Sequence, residues 1–385
     1  MSPRYSRSGR ERKGVTAFED LGSDTPPLLP LQTQLAENVT AMIDFRSDVL
    51  TSPTEAMWEA MRSAEPGWAG SDANVLELET LGADIVGHDA ALFVPTCTMA
   101  NLLALMSLGR RGSQVILEAT SHIAWSEGFG VSNICGLFPR LLPGIRGVPE
   151  LADVEEAIIS PQFGHLPQTS LLCLENTHNN AGGTVVTAEQ TAAIATLSHR
   201  HGVMVHLDGA RITNAAAALR TTVKELSAPV DTVSLSLNKG LGAPYGALLC
   251  GATSTIDEAR MNLNRLGAAS VHKAGLFAAA AVVALETMKG QAAVDNWRAH
   301  QLAQLLVDVP GLHLDMASVQ TNIVNVVVEC PGWTANSFVE RLASYDVLAL
   351  ERGEKLVRFV THAQIGESEV EQAASIIERV MREAH

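Results

Sequence analysis

The sequence is poor in the features that mark secreted, membrane-spanning or nucleic-acid-binding chains. Its five cysteines, Cys97, Cys135, Cys173, Cys250 and Cys330, are an odd and scattered set with no C-x-x-C pair. That pattern offers neither a disulfide framework nor a zinc spacing, and it reads as a reduced, cytoplasmic protein. No apolar run approaches the roughly 18 residues of a membrane span. The opening MSPRYSRSGRERKG is basic, but no apolar signal core follows it, so secretion is not expected. Cations are in deficit: 27 Lys and Arg stand against 42 Asp and Glu, a net charge of −15. Such a chain repels polyphosphate and anionic lipid, which argues against nucleic-acid and membrane partners. There is no internal repeat.

What is present is a globular composition. Of 385 residues 46% are apolar, enough for a substantial core spread over roughly two to three domains. Residues 1–40 are rich in Arg, Ser and Pro and read as a flexible extension. Asn38-Val39-Thr40 matches a glycosylation sequon that a cytoplasmic protein would not use. Residues 41–289 read as a large domain. Short apolar runs at 91–95, 114–118, 170–176, 203–209, 232–238 and 246–251 suit strands buried on both faces. Between them lie helical stretches such as 99–109 and 187–202, the second closing on His-Arg-His-Gly. This alternation predicts an α/β fold with a mainly parallel sheet. A long apolar helix is expected over 274–289. Residues 290–385 then change pattern, with strand-like 322–329 and 355–362 and amphipathic helices, and read as a smaller α+β domain.

Polar residues at the ends of these runs carry the chemistry. Lys239 follows a buried strand and precedes glycines at 240 and 242. A desolvated lysine there is a nucleophilic amine suited to a Schiff base, although Lys-Gly pairs also occur at ordinary strand ends. Asp208 ends another apolar strand about 30 residues earlier, where a carboxylate can keep a pyridinium nitrogen protonated. It could equally cap the next helix. Arg211 could bond a cofactor oxygen or neutralise Asp208. Thr96-Cys97-Thr98 opens a helix, a place where backbone amides and the dipole favour phosphate. His122 could lie on an aromatic cofactor ring. His178, in the cluster Glu175–Asn179, could meet a substrate hydroxyl or carry a proton. Arg358 stands in the apolar run Leu356–Val360, and a substrate carboxylate or a structural acid would balance it.

Taken together, the segments IDFRSDVLT (43–51), FVPTCTMAN, EATSHIAWSEG, LENTHNNAGG, VHLDGARITNA, LSLNKGLGAP and VRFVTH resemble the threonine aldolase and aromatic amino acid β-eliminating lyase family. These are fold-type I enzymes dependent on pyridoxal 5'-phosphate (PLP). The resemblance runs from about residue 43 to 380. It implies an aspartate aminotransferase-like fold: a large seven-stranded mixed-sheet domain with a smaller C-terminal α+β domain. It also implies a homo-oligomer, dimer or tetramer, with active sites at subunit interfaces. The roles it implies are Lys239 as the Schiff-base lysine, Asp208 on the pyridine nitrogen, Arg211 near the ring oxygen and His122 stacked on the ring. Cys97 and Thr98 would donate to the phosphate, Ser47 and Arg358 would hold the substrate carboxylate, and His178 would sit near the β-hydroxyl. The implied reaction cleaves an L-β-hydroxy-α-amino acid such as threonine to glycine and an aldehyde. A racemase or β-eliminating lyase on the same scaffold, or a non-catalytic homologue, are the alternatives.

The chain departs from the family pattern at three places. Cys97 stands where the phosphate loop usually has glycine. The stretch Trp68–Ala73 replaces a Tyr-Gly-Asp-Asp-Pro run, with Ala69 at the tyrosine and Ala73 at the proline. Val271-His272-Lys273 replaces Met-Arg-Gln, so an expected arginine becomes His272 or moves its charge to Lys273. These changes touch the site wall and leave the candidate cofactor residues in place.

Overall fold

A computed structural model describes residues 42–68, 71–159, 168–269 and 271–383. The extension, its sequon and Ala69 lie outside the described residues.

The strands expected from the apolar runs form one seven-stranded sheet. In chain order they are β2 (Ala90–Val94), β3 (Gln114–Glu118), β4 (Phe138–Leu142), β5 (Thr169–Glu175), β6 (Met204–Asp208), β7 (Thr232–Ser236) and β8 (Ala247–Gly251), with β1 the short Ile43–Asp44 elsewhere. Their order across the sheet is β2-β8-β7-β6-β5-β3-β4. Neighbours are parallel except β8, which runs antiparallel to both β2 and β7. The sheet is therefore mixed. Strands β3, β5 and β7 are buried along their whole length, which explains their unbroken apolar runs. Strand β4 is mostly exposed and carries Pro139, a residue suited to an edge, and its alternation is too weak to read from sequence.

Helices cover both faces. Helix α2 (Ala73–Val86) packs so closely on β8 that a Cβ on Gly82 would stand 2.2 Å from Leu248 Cδ1. Helix α3 (Cys97–Leu108) starts where Thr96 Oγ1 accepts from the Met99 amide. Helix α4 (Ala188–Arg200) has a full capping box from Thr187 and Gln190. All the parallel strands end on one edge of the sheet, where open α/β sheets bind ligands.

A second core lies around a four-stranded antiparallel sheet built from Leu312–His313, Ile323–Val328, Leu350–Glu351 and Leu356–Val360. The amphipathic helices Ala335–Ala343 and Glu367–Glu383 pack on it. Ile43 and Phe45, although early in the chain, belong to this core. Strand β1 pairs in parallel with Val347–Leu348, and the Val360 amide donates to the Phe45 carbonyl at 2.8 Å. That stitching carries residues 46–48 past Arg358. Among the described residues no single helix is long and apolar enough to cross a membrane.

Leu248 is fully buried between α2 and the sheet. Leu248→Ala is expected to lower stability by about 2–5 kcal/mol in urea unfolding. A loss below about 1 kcal/mol would mean that this site collapses without leaving a cavity.

Candidate active site

Glu175 and Asp208 end adjacent strands and are register partners, and Asp208 is paired across to Ser234 on β7. Asp208 is buried. Its Oδ2 accepts from Asn101 Nδ2 at 2.9 Å, and its Oδ1 accepts from the Ala210 amide at 3.1 Å. Burial opposes ionisation, but the fields of His122 and Lys239 and the Ala210 amide outweigh it and hold the carboxyl below its ordinary value. Asp208 is therefore an anion at neutral pH without a direct cationic partner. Lys239 is half-buried at the head of a turn closed by the Gly242 amide on the Lys239 carbonyl at 2.8 Å. Its charge reaches both Asp208 and Asp48.

The Cys97 thiol contacts Ser234 Oγ at 3.4 Å and Asp208 Oδ1 at 3.9 Å. Burial and the Asp208 charge push it up to about 12, so it stays protonated. The Cys97 and Thr98 amides, first in α3, have no acceptor among the described residues. They could take a phosphate, since the thiol is directed to Ser234 and Asp208.

His122 donates its backbone amide to Glu175 Oε2 at 2.6 Å and holds Glu127 Oε1 through Nδ1 at 2.8 Å. Burial opposes its protonation, but Glu127, Asp208 and Glu175 outweigh it and raise its pKa. Its Nε2 has no partner among the described residues. His178 is fully buried. Its Nδ1 accepts from the Ala181 amide at 3.2 Å, which assigns the proton to Nε2, where Glu118 accepts it at 2.9 Å. Both His178 nitrogens are thus engaged within the protein, and neither is free for a substrate hydroxyl in this conformation.

Arg211 does not neutralise Asp208. Its Nε and Nη2 donate to Asp48 at 2.6 and 2.7 Å, a buried bidentate pair that Asn322 Nδ2 joins at 3.2 Å. Burial opposes ionisation of Asp48, but Arg211 outweighs it, with Lys239 and Asn322 assisting, and holds the carboxyl well below the usual range. Among the described residues Arg358 has no acid of its own: it donates to Asn179 Oδ1 at 2.6 Å and to the Arg46 carbonyl at 3.2 Å, next to Ser47, and its Nε is buried without a partner. Burial and the nearby Arg211 and Arg352 pull it down to about 9. It remains charged at neutral pH, poorly balanced, beside a cavity of about 430 Å³ lined by Thr120, Trp125, Asn179 and Arg352. A carboxylate entering there would supply the missing anion. Ser47 Oγ accepts from the Val49 amide at 3.3 Å.

This donor set fits PLP. A lysine and an ionised carboxylate share a strand-end cluster, free amides stand at a helix start, and an under-balanced arginine faces a cavity. Sequence reasoning missed Asn101, Glu127, Glu118, Asp48 and Asn179, which hold the expected residues in place. Of the departures, His272 and Lys273 are exposed just before the helix Ala274–Thr287, and Ala73 opens α2 behind the Asp72 cap.

Asp48→Asn strands Arg211 in the interior and is expected to cost about 3–5 kcal/mol in chemical unfolding at pH 7. Because the folded Asp48 pKa is depressed, its contribution is present above the unfolded value of about 3.9 and lost as pH falls through the folded one. Wild type and variant should therefore converge in stability at acid pH. A gap that stays constant down to acid pH would contradict the pairing.

Comparison with known proteins agrees with this geometry. Residues 44–329 match the family model described as beta-eliminating lyase. The chain is 38% identical over 344 residues to a probable low-specificity L-threonine aldolase 2 from Arabidopsis thaliana, covering 88% of this chain and 97% of that protein. It is 37% identical over 349 residues to low-specificity L-threonine aldolase 1 of the same plant, covering 89% and 97%. Among solved structures, a threonine aldolase from Leishmania major superposes with a TM-score of 0.76 at 21% identity, covering 88% of this chain and 99% of that one, a likeness of fold. A chain with this match and these strand-end residues belongs to the beta-eliminating lyase family.

Proposed function

We propose that this chain is a PLP-dependent aldolase that splits an L-β-hydroxy-α-amino acid into glycine and an aldehyde. The observation that carries the reading is that half-buried Lys239 stands within electrostatic reach of buried, ionised Asp208 at the carboxyl edge of the sheet. When bound, PLP supplies an electron-withdrawing ring that accepts the electron pair of the broken Cα–Cβ bond. The chain's own residues do the rest. Lys239 would be the attachment point, Asp208 would hold a proton at the ring nitrogen, and the Cys97 and Thr98 amides would receive the phosphate. Arg358, with Ser47 beside it, takes the substrate carboxylate and so orients the Cα–Cβ bond. His122 would lie against the ring, with Nε2 left to carry a proton, and Arg211, tied to Asp48, would flank the ring oxygen. His178 acts through Glu118 as a positioning group. In the net reaction the β-hydroxyl proton leaves to a base, the C–O bond becomes a carbonyl, and Cα gains a proton.

The family resemblance supports a homo-oligomer, and exposed Trp68 offers apolar surface for it. We read the compartment as cytoplasmic, and residues 41–289 and 290–385 as the large and small domains.

The test is incubation with L-threonine and L-allo-threonine, scoring acetaldehyde and glycine in equal amounts. Lys239→Ala should abolish both products. Asp208→Asn should slow turnover by about 100-fold or more with PLP still bound. Arg358→Ala should chiefly raise KM. Inversion or exchange at alanine Cα without glycine from any β-hydroxy amino acid would replace the aldolase by a racemase. Full activity of Asp208→Asn would remove the assigned role of the carboxylate.

A further inference from the structure

Asn101 lies one turn into α3, between the apolar residues Ala100 and Leu102, and is fully buried. A primary amide has two donor protons and an acceptor oxygen with two lone pairs. Here all are used. Nδ2 donates to Glu127 Oε1 at 2.8 Å and to Asp208 Oδ2 at 2.9 Å. Oδ1 receives Ser234 Oγ at 2.8 Å and His206 Nε2 at 3.0 Å. The orientation is not arbitrary. Ionised carboxylates only accept, so the nitrogen must face Glu127 and Asp208, and the oxygen must face His206 and Ser234. His206 therefore carries its proton on Nε2, and its Nδ1 accepts from Thr232 Oγ1 at 2.9 Å. Burial pulls His206 down to about 4, so it is neutral and cannot charge the network. The result is a one-way chain of donors, Thr232 to His206 to Asn101, ending on two carboxylates.

Those carboxylates have different jobs. Asp208 is the candidate partner of the ring nitrogen. Glu127 holds His122 through Nδ1. One oxygen or nitrogen from each of His122, Glu127 and Asp208 lies within 4.8 Å of the others. Two carboxylates so close repel when water is excluded. Burial pushes Glu127 up and Asp208 adds to the push, while the hydrogen bond and charge of His122 and the Asn101 hydrogen bond oppose it. An apolar residue at 101 would leave Asp208 Oδ2 without the Asn101 donor and Glu127 Oε1 with His122 alone.

We infer that Asn101 is a positioning residue for the reaction, bridging the carboxylate that serves the cofactor ring and the carboxylate that holds His122. This rests on the proposed roles of Lys239, Asp208 and His122. Without the bridge Glu127 takes up a proton first, and His122 loses the anion that raises its pKa and orients it. The groups facing His122 are Glu127, Asp208 and Glu175.

The experiment is histidine NMR on the holoenzyme and the PLP-free chain, with His122 assigned by His122→Asn. Asn101→Ala should lower the His122 pKa by roughly one unit, a tenfold change in its protonation equilibrium. Glu127→Gln should lower it as well, and the double variant should match Glu127→Gln alone. In turnover, kcat of Asn101→Ala should fall about 10- to 100-fold, the range for losing an outer partner of a site ligand, with KM changed far less. A folded Asn101→Ala variant with unchanged His122 titration and kcat would reduce Asn101 to a packing residue. Should that variant fail to fold, wild type still decides: His206 must be the neutral Nε2–H tautomer across the range of activity. An Nδ1–H tautomer would reverse the amide and overturn the proposal. Failure of the wild-type chain to bind PLP would instead sink the parent reading, while the His122 shift in the PLP-free chain remained readable.

Discussion

A carboxylate stays ionised away from water only where donors and positive charge surround it, and Asp208 meets that condition at the end of a buried strand. The rest of the site follows from this one charge. Strand β6 brings Asp208 to the carboxyl edge of the sheet, and β5 and β7 set Glu175 and Ser234 beside it. Helix α3 contributes Asn101 from below and free amides from its first turn. Lys239 arrives on the turn after β7, near enough for its charge to favour both Asp208 and Asp48. A buried charge held by nearby positive charge and backbone and amide donors, with no cation bonded to it among the described residues, can still act on a ligand.

The arginines divide the opposite task. Arg211 is fully paired with Asp48 and is a fixed part of the wall. Arg358 comes from the second sheet and is left short of negative charge beside a cavity. Its position depends on Ile43 and Phe45 packing in the second core, which draws the Arg46 carbonyl and Ser47 next to it. Two cores with separate sheets therefore converge on one set of polar atoms. On the proposed reading, substrate recognition is built where they meet, and cofactor chemistry where the strands of the larger sheet end.

Much of this was legible in the sequence because unbroken apolar runs mark doubly covered strands, and the polar residue ending such a run stands at the ligand edge. Lys239, Asp208, Glu175 and the Thr96 cap all follow that rule. The antiparallel course of β8 was not visible, since a buried run has no direction. Nor were the supporting residues. Asp48 meets Arg211 across a sequence gap of 163 residues, which no local pattern encodes. Asn101 reads as a polar residue in a mostly apolar helix, and His206 as a polar residue in mid-strand ahead of Asp208. The signal was there as an amide and an imidazole at core positions, where an unpaired polar group would be costly. Their partners came only with the fold. His178 was legible as a candidate, but its engagement with Glu118 and Ala181 depends on the loop geometry around it.

The central claim is that Lys239 is the cofactor lysine in a pocket organised around Asp208. The direct measurement is borohydride reduction of the PLP-loaded protein followed by peptide mapping by mass spectrometry. The account predicts a phosphopyridoxyl mass on the peptide containing Lys239 and on no other lysine. A label on a different lysine, with Lys239 unmodified, would contradict it.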